Sequence, residues 1–424
     1  VAMQPWFEQA KLGIFIHYGI YAVDGVAESW SFFNGEVSHE DYLAQLDGFT
    51  AASFDADAWA ALFAASGARY AVLTAKHHDG VALYDTAQNA LSTVRATPAR
   101  RDIVAEYVDA LRAHDLKVGI YFSHLDWTHP DYASVRPASM SDDERGNPFA
   151  VPAAGEEDPA AWERFLTFHR AQLTEILERF LPDLLWFDGD WERDPEQWRM
   201  DEVRDLIHAI TPDAVINGRM SGGFGDYATP EQGVPIEPPH GPWELCLTMN
   251  DSWGHQGRDT NYKSVRQLVR IFAETIGGGG NLLLDVGPRE DGSIPEEQVE
   301  RLTALGDWIG RHDTAIHGTV RGLPPGHVYG PSTISADGTR LFLFCFDRPR
   351  EFVVVRGLRT EVVGARLLGA QPRELRRERV GGLGDVPGWE YIHVPDDVEL
   401  DPVCTVIELT LAGPPDIYRE HTRD

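Results

Sequence analysis

Cysteine is scarce in this chain: only Cys246, Cys345 and Cys404 occur among 424 residues, widely spaced and odd in number. They neither frame a disulfide network nor cluster like a Cys-rich zinc site, so buried free thiols are expected. Basic residues are also few, with 37 Lys and Arg against 67 Asp and Glu and a formal charge of −30. Grip on a nucleic-acid backbone needs a basic footprint, which this balance disfavours. It suits solubility and a neutral or cationic partner. No apolar run approaches the roughly 18 residues of a membrane-spanning helix, so no membrane partner is expected. The opening Val1-Ala2-Met3-Gln4-Pro5 lacks a basic segment followed by an apolar stretch. No signal peptide is therefore expected, which fits either a cytoplasmic protein or a secreted one already processed. Solenoid repeats and low-complexity linkers are absent too.

What is present suffices for one large core and an accessory unit, since 43% of the residues are hydrophobic and 10% aromatic. Continuous apolar stretches at 12–17, 70–74, 118–123, 183–187, 215–217, 245–249 and 281–286 read as buried strands, because they do not alternate with polar residues. Helical periodicity, often with acidic residues near the start, predicts helices over 55–65, 102–114, 160–180, 201–210, 263–276 and 295–311. This rhythm predicts an α/β fold, a (β/α)8-like barrel over 1–318, with a doubly wound sheet as the rival. After about Thr319 the texture changes. Strand-like segments at 328–330, 340–346, 351–355, 391–394 and 403–409, joined by Gly, Pro and Asp turns, predict a C-terminal antiparallel β-sandwich over 319–424.

The barrel strands run into side chains that a hydrophobic core rejects. Leu12 to Ile16 leads into His17-Tyr18-Gly19, and Tyr70 to Thr74 into Lys76-His77-His78-Asp79-Gly80. Gly119 to Phe122 leads into Ser123-His124, and Leu184 to Phe187 into Asp188-Gly189-Asp190-Trp191. Polar groups gathered at the C-terminal ends of strands are where this architecture builds active sites. Asp188 follows an apolar run, so its carboxylate emerges at the rim and needs a partner if buried. A plain Asx turn before Gly189 is the competing account. Asp190 lies in loop-like sequence, which makes Asp188 the better nucleophile.

Glycoside hydrolysis needs a second carboxylic group. Glu231 sits in the turn-rich Tyr227 to Gln232, and Glu244 at the start of a strand. A loop acid can approach a leaving group, which favours Glu231 and leaves Glu244 as the alternative acid/base. Adjacent strand residues point in opposite directions, and neither a His-Glu-x-x-His motif nor a Cys cluster supplies further ligands. His77 and His78 are accordingly read as sugar contacts, and no metal is expected.

Taken in order, these motifs resemble glycoside hydrolase family 29, the alpha-L-fucosidases. The resemblance rests on Trp6-Phe7 with Lys11 to Gly19, on Ala75-Lys76-His77-His78-Asp79-Gly80, on Leu185-Trp186-Phe187-Asp188-Gly189, and on Asn281 to Pro288. Tyr18 departs from the common Trp, and Ser29 separates Glu28 from Trp30, which are often adjacent in relatives. The resemblance implies retaining, exo-acting hydrolysis of terminal alpha-L-fucosyl linkages on oligosaccharides or glycoconjugates, without a cofactor. It makes Asp188 the nucleophile and Glu231 the acid/base, and it places the fucose pocket on His17, Glu28, Trp30, His77, His78, Trp186 and Arg219. His124, at the end of the third strand, is assigned to the same pocket, with Asp126 and Trp127 near it. The Thr229-Pro230-Glu231 motif inclines the expected preference toward α-1,3/1,4 linkages. A retaining exo-glycosidase for another sugar, a non-catalytic glycan-binding protein and a metal-dependent hydrolase are the alternatives.

Overall fold

The computed structural model describes residues 3–141, 146–347, 351–369 and 371–419, so parts of the 319–424 span lie outside the described residues. Seven strands form one curled parallel sheet: β1 (Leu12–Ile16), β2 (Tyr70–Lys76), β3 (Lys117–Ser123), β4 (Leu184–Asp188), β5 (Val215–Ile216), β6 (Glu244–Leu247) and β7 (Asn281–Val286). Their order is β5-β4-β3-β2-β1-β7-β6. Each falls on one of the apolar stretches read from the sequence. Six helices follow the predicted periodic segments: α1 (Ala56–Ala65), α2 (Ile103–Ala113), α3 (Pro159–Phe180), α4 (Met200–Ile210), α5 (Val265–Gly277) and α6 (Glu296–Arg311). The side chains of Asp55, Asp102 and Asp158 accept from free backbone N–H groups at the starts of α1, α2 and α3, which fixes where those helices begin.

Between β5 and β6 the chain forms neither helix nor regular strand. The segment Tyr227 to Glu231 spans that gap instead, bridging Asn217 on one side and Trp243 and Cys246 on the other. Asp226 N donates to Ile216 O at 2.8 Å, and Cys246 N donates to Pro230 O at 3.2 Å. Pro230 has no N–H to give a ladder, so this stave stays irregular. A barrel results rather than a doubly wound sheet, and the loop expected at Glu231 proves to be part of the barrel wall.

Side-chain alternation sorts each strand into two faces. Phe15, Val72, Tyr121, Trp186, Cys246 and Leu283 point inward and form one cluster with Phe7, Tyr70 and Tyr227. Ile14, Leu73, Ile120, Phe187, Leu245 and Leu284 point outward and join the larger core under the helices. Polar residues of inward parity at the C-terminal strand ends therefore face a common pocket.

After α6 come β8 (Thr319–Arg321), β9 (Ser332–Ser335), β10 (Arg340–Cys345), β11 (Phe352–Val355), β12 (Val362–Leu367), β13 (Arg373–Glu374), β14 (Arg376–Val380), β15 (Trp389–His393) and β16 (Thr405–Leu411). They make a six-stranded sheet, β13-β12-β16-β10-β9-β8, and a three-stranded sheet, β11-β15-β14. The strand expected at 328–330 is absent: Gly330 adopts φ +119° before Pro331, and Tyr329 is exposed. The sandwich is seated on the barrel through Trp308 of α6, whose indole N–H donates to Cys404 O at 3.0 Å beside Phe344.

Candidate active site

A pocket of about 330 Å³ opens at the C-terminal ends of the strands. That volume lies at the small end of ligand sites and suits one monosaccharide. Its polar groups converge on Asp188, the last residue of β4. Arg219 Nη1 donates to Asp188 Oδ1 at 2.8 Å, and Tyr121 Oη donates to Oδ2 at 3.0 Å. The other arm of the same guanidinium, Nη2, lies 2.5 Å from Glu231 Oε2. One cation thus bridges the two carboxylates, while its carbon sits 4.6 Å over the Trp186 ring. The turn leaving Asp188 requires glycine: Gly189 has φ +84°, and a Cβ there would lie 2.3 Å from Leu125.

The histidines are set by their second nitrogens. His17 Nδ1 lies 2.7 Å from Asp285 Oδ1, and His77 Nδ1 lies 2.6 Å from Ser29 Oγ, leaving Nε2 of each for a ligand. His78 Nδ1 pairs with Ser123 Oγ at 2.6 Å, and its Nε2 stands 3.7 Å from Asp188 Oδ2 without a hydrogen bond. An irregularity in β2 explains the aim of His77. Thr74 pairs with Tyr121 but Lys76 pairs with Phe122, so one residue is extra between them. The bulge reverses side-chain parity, sending Lys76 toward Phe122 and bringing His77 to the pocket. Contrary to the expected opposite directions, the two imidazoles lie side by side, 4.2 Å between ring centres, because β2 ends before them.

Burial controls the charges. It holds His17, His77 and His78 well below the ordinary histidine range, helped for His17 by His77 and for His77 by His78. With Nδ1 engaged, each neutral imidazole meets a ligand through Nε2 alone, as donor or acceptor according to its tautomer, and a sugar hydroxyl can answer either role. Burial also works against the Arg219 cation, but Asp188 and then Cys246 and Glu231 outweigh it and hold the proton more firmly than usual. Glu28 is pushed up to about 7 by burial, against a hydrogen bond from Gly254 N. Its backbone is held at φ +25°, a conformation rare for a side-chain-bearing residue.

Of the residues singled out in the sequence, His17, Glu28, Trp30, His77, Trp186, Asp188, Arg219 and Glu231 line this one pocket. His78, expected in the same pocket, does not line it: the ring is fully buried behind Asp188, with Nε2 3.7 Å from Asp188 Oδ2. His124 does not face the pocket. Following Ser123 it has outward parity, and its ring stacks on Phe187 at 4.6 Å, with Nδ1 3.2 Å from His169 Nε2. Asp126 and Trp127 are likewise directed elsewhere, toward Lys76 and Glu192 respectively. The sequence reading missed Phe15, Tyr121, Trp191, Cys246 and Trp253, which complete the lining. Tyr121 and Cys246 carry inward parity, a legible signal; Trp253 lies on a loop and carried none. Ser29, an irregularity by sequence, is the residue that orients His77.

Glu244 is fully buried and does not line the pocket. It accepts from Tyr70 Oη, from Trp186 Nε1 at 2.9 Å and from Tyr227 Oη at 3.2 Å. Burial raises it to about 7, with those donors opposing. A raised carboxyl suits an acid catalyst, but the entry of β6, where Glu244 sits, is the end of the barrel away from Asp188. Glu244 and Glu28 both bind a proton more tightly folded than unfolded. Their contribution to stability is therefore full below about pH 4.5 and lost as pH rises through about 7. Glu244→Gln, which mimics the protonated form, is expected to flatten part of the fall in thermal midpoint between pH 5 and 8; an unchanged pH dependence would contradict this.

A larger hollow of about 700 Å³ lies between α5 and the sandwich, near Arg270, Tyr329 and Phe352, but it lacks convergent titratable groups of this kind. Among the described residues, no three or more His, Cys, Asp or Glu are placed to hold a metal ion. No described helix is long and apolar enough to cross a membrane.

The comparisons agree with this geometry. Alpha-L-fucosidase isoenzyme 1 from Paenibacillus thiaminolyticus superposes with a TM-score of 0.85 at 33% identity, covering 96% of this chain and 98% of that one. The Thermotoga maritima alpha-fucosidase, solved in complex with a mechanism based inhibitor, gives 0.78 at 27% identity over 96% of each chain. The human tissue alpha-L-fucosidase is 30% identical over 347 residues, 74% of this chain and 69% of its own length. With the alpha-L-fucosidase family profile matching residues 1–314, three quarters of the sequence and the whole of the barrel, the chain belongs to the alpha-L-fucosidase family.

Proposed function

We propose that the protein is a retaining, exo-acting alpha-L-fucosidase in which residues 1–318 form the catalytic unit. Asp188 attacks the anomeric carbon while Glu231 protonates the departing glycosidic oxygen. The resulting fucosyl ester is opened by water, whose proton returns to Glu231. One observation carries this reading: a single guanidinium, that of Arg219, touches both carboxylates at the floor and lip of a pocket the size of one sugar. That closeness supports the separation of about 5–5.5 Å used for direct displacement, rather than the wider gap that admits an inverting water.

His17, His77 and Glu28 supply hydroxyl partners in this reading, and Trp186 and Trp253 supply apolar walls for the ring and its C5 methyl group. Glu244 is a buried anchor for Trp186 rather than the acid. The Thr229-Pro230-Glu231 motif supports a preference for α-1,3/1,4 linkages on branched glycans. The test is NMR of the first anomer released from an aryl α-L-fucoside, 2'-fucosyllactose and a Lewis-type trisaccharide. α-L-Fucose is expected first, with the branched glycan giving the highest kcat/KM. Initial β-L-fucose would overturn the retaining mechanism, and release from none of the three would favour a glycan-binding role.

A further inference from the structure

The lining of the pocket is graded from floor to mouth. Phe15, Trp186 and Cys246 are buried at its floor, whereas Glu231 is half-exposed and Trp191 is 51% exposed. The acid must stand beside the oxygen that leaves, so whatever fucose is attached to emerges at the exposed end. Trp191 is the largest apolar surface there.

We propose that Trp191 is the platform of a leaving-group subsite, stacking against the apolar face of the pyranose ring to which fucose is joined. This rests on the reading of the site given above. The indole is held, not merely exposed. It stacks on Trp30 with an interplanar angle of 16° and 6.2 Å between centres, and it meets His78 edge to face at 6.0 Å. Trp30 in turn packs edge-on against Trp127 at 5.0 Å. Trp127 Nε1 donates to both Glu192 oxygens at 3.1 Å, and Glu192 also accepts from Tyr132 Oη. Arg193, buried, lies over the Tyr132 and Trp162 rings. The backbone on either side of Trp191 is thus pinned, by the Gly189 turn before it and by Glu192 and Arg193 after it.

An aromatic face fixed in water beside a catalytic pocket loses little conformational freedom when a ligand covers it, which is the condition for useful stacking. The occupant is a sugar ring because Trp191 lines the same pocket as Asp188 and Glu231 and stands at its exposed end, where the group joined to the bound fucose emerges. Pyranoses present axial C–H groups on one face, and those are what an indole contacts.

The experiment compares Trp191→Ala and Trp191→Phe with the native chain on two substrates. One is α-L-fucosyl fluoride, whose leaving group is a single atom; the other is a fucosylated oligosaccharide cleaved by the native chain. The loss of kcat/KM in Trp191→Ala is expected to be about tenfold greater on the oligosaccharide than on the fluoride, mostly in KM, with Trp191→Phe recovering part of it. Equal losses on both substrates would assign Trp191 to the fucose pocket or to the fold and overturn the subsite, as would no loss on the oligosaccharide. Failure of the native chain to hydrolyse even the fluoride would instead overturn the fucosidase reading, and the subsite with it.

Discussion

Removal of the Asp188 carboxylate is expected to lower fucose release by at least about 10⁴-fold, because in the proposed mechanism the residue that forms the covalent bond has no substitute in the pocket. The reason lies in the surroundings as much as in the side chain. Asp188 is buried at the end of β4, with one oxygen held by Arg219 and the other by Tyr121. These two donors leave the carboxylate little freedom to rotate away from the sugar. Asp188→Gly also opens a space on the side of the pocket that the Asp188 carboxylate occupies. Azide entering that space would displace the leaving group once and give β-L-fucosyl azide from an aryl α-L-fucoside. That product is the informative readout, since lost activity alone would also follow from unfolding. A variant that retains more than a few per cent of native kcat would remove Asp188 from the nucleophile's role, as would α-azide formed in its place.

Loss of Glu231 is the second large effect, and its size should depend on the leaving group. Proton transfer by a placed acid contributes about 10²- to 10⁴-fold. Glu231→Ala is expected to lose that much on oligosaccharides, whose departing alkoxide needs the proton, and far less on fucosyl fluoride. With azide the variant should form α-L-fucosyl azide, the retained product, because the nucleophile still works and azide replaces the activated water. The same assay on Glu244→Gln distinguishes the two glutamates. If Glu244 were the acid, its variant would show the leaving-group dependence and Glu231→Ala would not. The geometry predicts the reverse: Glu231 is half-exposed at the lip, whereas Glu244 is enclosed by Tyr70, Trp186 and Tyr227. Because Arg219 joins Asp188 and Glu231, the two deletions are not independent, and their effects are not expected to add.

The raised carboxyl of Glu244 shows why protonation alone does not identify a catalyst. Burial elevates it, and burial is also what denies it access to substrate. Accessibility is what favours Glu231 over Glu244 in the proposed mechanism, and it is a tertiary property. His124 carries the same lesson. By sequence it ends a barrel strand in polar company, as His17 does. One residue of parity puts His17 beside Trp253 at 4.9 Å and His124 against Phe187 on the helix side.

The amino-acid sequence by itself determined the staves and the chemistry of their ends. Short uninterrupted apolar runs between helical segments read as buried strands, and a run such as Leu184 to Phe187 that breaks into Asp188 delivers its carboxylate to the rim. The antiparallel texture after Thr319 was equally local, although strands such as β12 and β14, interrupted by Arg, Glu and Gly, gave no hydrophobic signal. Only the tertiary structure decided what depends on residues distant in the chain. The bulge in β2 turned His77 inward, and bridges to Asn217, Trp243 and Cys246 made the Pro230 segment a stave. Arg219 was set between two carboxylates, and Ser29 was given to His77. Periodicity reports which face a residue takes while the backbone is regular. Where a bulge, a proline or a turn breaks that regularity, aim is set by the hydrogen bonds of the neighbouring strand, and those exist only once the barrel is closed.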